Sequence, residues 1–156
     1  MKVHQAPAYI LVSRPYSETS SLIDLFTRDY GRQMLMAKGI KRLKSRFRGL
    51  AQPFHALLAS WSGKGEVPTL TGLELDASRF SGWNSSLEKD ARLCGWYCNE
   101  LLANSLQRAD AHQKLFDEYH RAIVNLGELD AKQTKQSALE KFTVLRDFEL
   151  ALIAET

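Results

Sequence analysis

The sequence predicts an α+β protein in which a small five-stranded barrel precedes an all-α part. Three observations carry that expectation. The first 75 residues hold short β-rich runs separated by turn residues, the hydrophobic spacing lengthens to three and four from about Ser85, and the charge changes sign between the two parts. Residues 1–65 carry eleven Lys/Arg against three Asp/Glu, a net +8, whereas residues 66–156 carry ten against fifteen, a net −5. The pattern divides the chain into 1–79 and 80–156.

The expected strands are Tyr9–Ser13, Leu22–Phe26, Gln33–Ala37, Phe54–Trp61 and Thr69–Leu75. Breakers stand between them: Pro15, Gly31, Gly39, Gly49 and Pro53, then Gly63 and Gly65 in a WSGKGE hairpin turn. In the last strand the alternation of polar and apolar residues slips by one across Gly72, which a β-bulge there explains. The first helix carries Leu87, Ala91, Cys94, Cys98, Leu101, Leu102 and Leu106, the second Leu115, Tyr119, Ile123 and Leu126, and the third Leu139, Phe142, Leu145, Phe148 and Leu152. Asn84 or Ser85 is the expected cap of the first and Asp110 of the second, which Gly127 ends; Thr134 or Ser137 opens the third. The acidic helices are expected to meet the basic barrel through an apolar interface, with Phe80 and Trp83 at the junction.

At 156 residues, 17.7 kDa and 44% hydrophobic residues, the chain can bury an ordinary core, which excludes a disordered tail. No apolar run reaches the roughly 18 to 20 residues of a membrane span, and the N-terminus has too short an apolar stretch for a signal peptide, so a cytoplasmic protein without a membrane role is expected. Cys94 and Cys98 are too few for a disulfide scaffold and lack metal-site spacing; on the apolar stripe they act as small hydrophobes. His4, His55, His112 and His120 are scattered, and no metalloprotease, nucleophile-elbow or phosphate-loop motif is present. A nuclease or transferase would need clustered carboxylates for metal ions, and the basic half has none. A protein that is not an enzyme and needs no metal or cofactor is the expectation.

The strongest signal is the segment KGIKRLKSRFRG, whose Lys38, Lys41, Arg42, Lys44, Arg46 and Arg48 place six cations within eleven positions with no acid among them. Following a strand and bounded by glycines, it suits a loop that tracks a phosphate backbone, with Arg14, Arg32 and Lys64 extending the path. Base stacking needs one or two exposed rings; Phe47, flanked by arginines, is the first choice and Tyr16 the second. The other aromatic residues of this half are needed to fill so small a barrel. The charge pattern alone admits an RNA- or ribosome-associated module as the alternative to a DNA-binding one.

Seven collinear blocks narrow that choice: RPYSETS at 14–20, LFT-x-x-x-GR at 25–32, AKG at 37–39, RGLAQPF at 48–54, WSGKGE at 61–66 with TL at 69–70, NELL at 99–102, and LRDFELAL at 145–152. They resemble the bacterial RecO family of recombination mediators, which shares a DNA-repair pathway with RecF and RecR. The resemblance implies an N-terminal OB-fold, a helical protein-interaction domain, binding of single- and double-stranded DNA, strand annealing, and help in loading recombinase onto DNA coated by single-strand-binding protein. It also implies a nucleoid-associated location, and RecR and the acidic C-terminal tail of the single-strand-binding protein as partners. That tail ends in an apolar aromatic residue and a free carboxylate, so its site requires a cation beside an apolar pocket. Arg146, beside Phe142, Leu145 and Phe148, with Arg121 on the preceding helix, is the expected site. Family members usually continue past FELAL, in some through a four-cysteine zinc site, so this chain resembles a short or truncated member; the zinc site is not carried over, its cysteines being absent.

Overall fold

The computed structural model describes residues 1–47, 49–80 and 87–156. Five strands come first: β1 (Lys2–Pro15), β2 (Ser21–Thr27), β3 (Gly31–Ala37), β4 (Leu57–Ser62) and β5 (Thr69–Leu75). They close into a barrel in the order β1-β2-β3-β5-β4. All neighbours are antiparallel except β3 and β5, which meet in parallel at Met36 and Thr69. Three helices follow, α1 (Lys89–Ser105), α2 (Gln113–Lys132) and α3 (Lys135–Glu155). Among the described residues no helix is long and apolar enough to cross a membrane.

The period-2 alternation of a strand sends successive side chains to opposite faces, and here both faces of β1 and β2 are used. Ala6, Ala8 and Ile10 of β1, with Ile23 and Leu25 of β2, fill the barrel beside Leu35, Leu57, Ala59 and Trp61. The intervening Tyr9, Leu11 and Phe26 point the other way and join a second core with Cys98, Leu102, Leu115, Phe116, Tyr119 and Phe148 of the helices. Barrel and helices therefore share one apolar seam, as expected from the sequence. Phe80 packs against it, while Trp83 lies outside the described residues. The rings meet edge-on: Tyr9 and Tyr119 lie 5.0 Å apart between centroids, and Phe26 and Phe116 5.3 Å.

Polar groups in the seam are matched. Asn99 on α1 donates through Nδ2 to the Leu11 carbonyl at 3.0 Å and accepts from the Tyr119 hydroxyl. The Tyr9 hydroxyl meets His120 Nδ1 at 2.6 Å. Burial and the nearby Arg79 guanidinium hold His120 below its ordinary pKa. Arg28 grips Asp117 through two N–H···O bonds of 3.0 and 3.1 Å, which hold that carboxyl below its usual value.

Arg32 is the largest departure from the sequence-based reading. It does not face solvent as part of a phosphate path. Its Nε and Nη2 donate to the carboxylate of Asp24, a side chain only 3% exposed, at 2.8–3.1 Å, and its Nη1 donates to the Leu106 carbonyl at 2.9 Å. The Arg32 carbonyl in turn accepts from the Ala109 N–H. The α1–α2 connection can approach this closely because residue 31 is glycine: with φ of +70°, a Cβ there would lie 2.5 Å from the Asp110 backbone.

Several element boundaries also differ. β1 begins at Lys2, earlier than its apolar run suggests, and β4 begins at Leu57 because Phe54, with φ of 71°, turns its ring out of the barrel toward Gly95 and Trp96 of α1. Asp110 does not cap α2; its carboxylate pairs with His112 Nε2 at 3.3 Å, and His112 is the N-cap. Gly127 lies inside α2, where burial of Ile123, Leu126 and Leu129 outweighs its weak helix propensity, and Gln133 ends the helix in the left-handed conformation. The expected cap at Asn84 or Ser85, which lie outside the described residues, gives way to Glu88, the N-cap of α1, which makes no side-chain capping bond. Thr134 and Ser137 open α3 together as a reciprocal capping box. α3 buries Ser137, Lys141, Phe148 and Leu152, leaving Leu139 and Phe142 in solvent.

Replacing Arg32 by Ala would leave the buried Asp24 charge unpaired. The expected loss is about 3–5 kcal/mol, read from the urea midpoint, and an Arg32→Met, Asp24→Leu double variant should recover most of it. An unchanged midpoint in Arg32→Ala would remove the pair from its structural role.

Candidate nucleic-acid interface

The chain between β3 and β4 is held across the barrel rather than left free. Its anchor is Phe47, 5% exposed and packed into the barrel core. The expectation that Phe47 is an exposed stacking ring is therefore overturned: a barrel whose strands supply Ala6, Ala8, Ala37 and Ala59 to the interior has room for a large ring from the loop. Arg46 lies over that ring at 5.0 Å and donates through Nη2 to the Thr71 carbonyl at 2.9 Å. At the other end the Lys41 N–H and ammonium bond the Thr19 and Ser17 carbonyls at 3.0 and 2.7 Å, which ties the basic loop to the β1–β2 loop. Gly39, with φ of 71°, makes the turn between them.

Two adjoining grooves result. One, of about 480 Å³, is lined by Lys38, Arg42, Lys44, Arg46 and the β5 residues Thr69 and Thr71. The other, of about 370 Å³, shares Lys38, Gly39 and Arg42 with it and continues to Tyr16, Ser17 and Ser20. Lys38, Lys41, Arg42, Lys44 and Arg46 are all exposed, and none of them has a carboxylate partner among the described residues. Tyr16, 65% exposed, is the ring available at the end of the trough. A cationic floor, hydroxyl-bearing walls and one open aromatic side chain are what a phosphate backbone with an unstacked base requires.

The predicted path residues thus separate. Lys38, Arg42, Lys44 and Arg46 line the grooves; Lys41 lines neither and is bonded to the Ser17 carbonyl; Arg14 is exposed at the end of β1, two residues before Tyr16; Lys64 is exposed in the β4–β5 turn, outside both grooves; Arg32 is committed to the fold; Arg48 lies outside the described residues. Sequence reasoning missed Thr69, Thr71, Ser17 and Ser20. The alternation of β5 shows Thr69 and Thr71 on one face, but their position beside the loop is a tertiary fact.

The expected peptide site on the helices is only partly assembled. Phe148 is buried against Tyr119, Leu145 is half-buried on the core, and Arg121 is held by Glu118 at 3.0 Å. Arg146 remains exposed without an ion-pair partner among the described residues, in a row with exposed Leu139, Phe142, Leu150 and Ile153. The groove between α2 and α3 is acidic, lined by Glu128, Glu140 and Asp147 with only Lys132 against them. Burial pushes the Cys98 thiol up to about 12 and raises the Cys94 thiol as well. Among the described residues no group of three or more His, Cys, Asp or Glu could hold a metal ion.

If the loop cations contact phosphates, changing Lys41, Arg42, Lys44 and Arg46 together to Ala weakens polynucleotide binding and reduces the slope of log K against log salt by about 0.7 to 0.9 per lost contact. An unchanged slope would take the loop out of the interface.

A family described as Recombination protein O N terminal matches residues 1–79, the whole barrel and the turn after it. A DNA repair protein RecO of Polynucleobacter necessarius is 46% identical over all 156 residues, that of Burkholderia lata 44% over 155, and that of Dechloromonas aromatica 40% over 154. The match takes in 99–100% of this chain but 60%, 51% and 59% of those proteins, so the chain spans between half and three-fifths of their length. With the barrel matched to one family and relatives of a single description aligned along the helices as well, the chain belongs to the recombination protein O (RecO) family.

Proposed function

We propose that this chain is a DNA-binding mediator of repair and recombination that makes and breaks no covalent bond. The observation that supports it most directly is the continuous cationic trough on one side of the barrel, carried by a loop that Phe47, Lys41 and Arg46 hold in place. In this reading single- and double-stranded DNA lie on the trough by their phosphates. Strands anneal because the loop cations reduce the repulsion between two backbones, and the relatives' description as DNA repair proteins agrees with that use.

The modules 1–79 and 80–156 divide the work. The barrel engages DNA, and the helices engage RecR and the acidic tail of the single-strand-binding protein, so that recombinase is loaded onto coated DNA. For the tail, Arg146 is the cation, and the apolar contacts come from Phe142, Leu139, Leu150 and Ile153 rather than from the buried Phe148.

The direct test is annealing of complementary oligonucleotides, bare and coated with single-strand-binding protein, by the wild type and the Lys41, Arg42, Lys44, Arg46 variant. Annealing by the wild type alone is the expected result; absence of wild-type annealing refutes the reading, and an RNA competitor that displaces DNA at equal concentration redirects it to RNA. Separately, Arg146→Ala should weaken binding of a fluorescent tail peptide by at least about 1.5 kcal/mol, as for a lost charge-assisted hydrogen bond, while DNA binding is untouched. Wild-type peptide affinity would remove Arg146 from the site.

A further inference from the structure

α3 is apolar on two opposite faces. Phe148 and Leu152 lie on the inward face with Ser137 and Lys141 and join the core shared with the other helices. Leu139, Phe142, Leu150 and Ile153 lie half a turn away and are between 56% and 71% exposed. A helix that is apolar all round is ordinarily covered all round, and a contiguous exposed apolar row marks an interaction surface.

The spacing of the row identifies what covers it. From Leu139 the steps run three, four, four and three residues, through Phe142, Arg146 and Leu150 to Ile153. The spacing is therefore the same from either end, with Arg146 at its middle. A second α3 laid antiparallel about that point sets Leu139 against the partner's Ile153 and Phe142 against the partner's Leu150, and by symmetry the reverse. This is the self-complementarity that an isologous two-fold interface requires. Steps of three and four are also those of helices packed along a shared seam, and the row extends over about 21 Å at 1.5 Å per residue, a length that suits a second helix lying along it.

Charge agrees with the antiparallel alignment. The two Arg146 side chains come near the axis and would repel if nothing answered them. Glu149 stands one turn beyond Arg146 on the helix, so in the antiparallel pair each Glu149 lies opposite Thr143 of the other copy, one turn from its Arg146 and within reach of that long side chain. In a parallel pair Glu149 would face Glu149 and Arg146 would face Arg146, with no opposite charge brought near. Arg146 has no ion-pair partner among the described residues. Tyr97 of α1 hydrogen-bonds the Glu149 carboxylate and holds it at the edge of the row; a carboxylate has acceptor sites for a guanidinium as well.

We propose that this chain pairs with a second copy through the exposed face of α3, antiparallel about a two-fold axis at Arg146. The pairing goes beyond the DNA-binding reading and does not depend on it. The tail peptide assigned above to Arg146 uses the same face, so a chain holds either its second copy or the tail.

The test is sedimentation equilibrium without DNA, from about 1 to about 100 μM, which brackets a Kd on the order of 10 μM for an interface at the small end of the specific class. The mass should rise from one chain of 17.7 kDa to two and stop there. Phe142→Glu, at a position in solvent, should weaken pairing at least about tenfold, because it buries a carboxylate against the partner's Leu150. Arg146→Glu and Glu149→Arg should each weaken it severalfold, and the two together should restore it, since exchanging the charges keeps the pair across the axis. Circular dichroism checks that each variant keeps its helix content. A mass of one chain throughout, a mass that climbs past two, or pairing that survives Phe142→Glu overturns the proposal, and so does a charge exchange that fails to restore pairing.

Discussion

The seam between barrel and helices is the constraint on which the rest of the structure depends. Tyr9, Leu11 and Phe26 alternate along β1 and β2 with residues that fill the barrel, so both faces of these strands are dry. A solvent-facing row of such residues would be a large apolar patch; covered by Cys98, Leu102, Phe116 and Tyr119, it becomes the middle of a continuous core. Once the helices are fixed there, the polar groups that come with them must be satisfied, and the Asn99, His120 and Asp117 contacts do so. Gly31 and Gly95 permit the approach. A Cβ at Gly95 would meet the Phe54 ring at 2.6 Å, and one at Gly31 the Asp110 backbone at 2.5 Å.

That arrangement also decides where charge can act. Of the cations in the first half, Arg28 and Arg32 are consumed by acids at the seam, so they cannot serve a ligand. Lys38, Lys41, Arg42, Lys44 and Arg46 between β3 and β4 have no carboxylate partner among the described residues, and their loop is restrained by an aromatic anchor and by bonds to two other segments. A restrained cationic loop loses less conformational entropy on binding a polyanion than a free one. The low acid content of the segment and its anchoring are complementary: without neighbouring carboxylates the charges stay available, and without Phe47 they would have no fixed direction.

The helical part carries a different surface. α3 turns Ser137, Lys141, Phe148 and Leu152 inward, and Lys141 is buried beside Asp130 at 3.5 Å. The exposed row of Leu139, Phe142, Leu150 and Ile153 with Arg146 is an apolar face carrying a cation that has no ion-pair partner among the described residues. Its neighbour, the groove between α2 and α3, is acidic. Charge is thus sorted between barrel and helices, and again along the helices themselves.

The order of elements, the switch from strand to helix, the bulge beside Gly72, the Thr134 cap and the cationic loop were all legible in the sequence, because each depends on residues within a few positions of one another. Local periodicity, turn chemistry and charge density act at that range. What depended on distant residues was not legible. Arg32 reads as one more cation until Asp24 and Leu106 are brought to it, and Phe47 reads as exposed until the small residues around it are seen to leave space. The buried face of α3 was misplaced because Leu139 and Phe142 fit the same 3.6-residue period as Phe148; only the position of α1 and α2 decides which side of an apolar helix is covered. The sequence by itself determined which segments are strands, helices and charged loop, since those follow from local preference. The tertiary structure alone decided which cations are spent on the fold and which stay exposed, because burial and pairing arise from residues that meet only when the chain has closed.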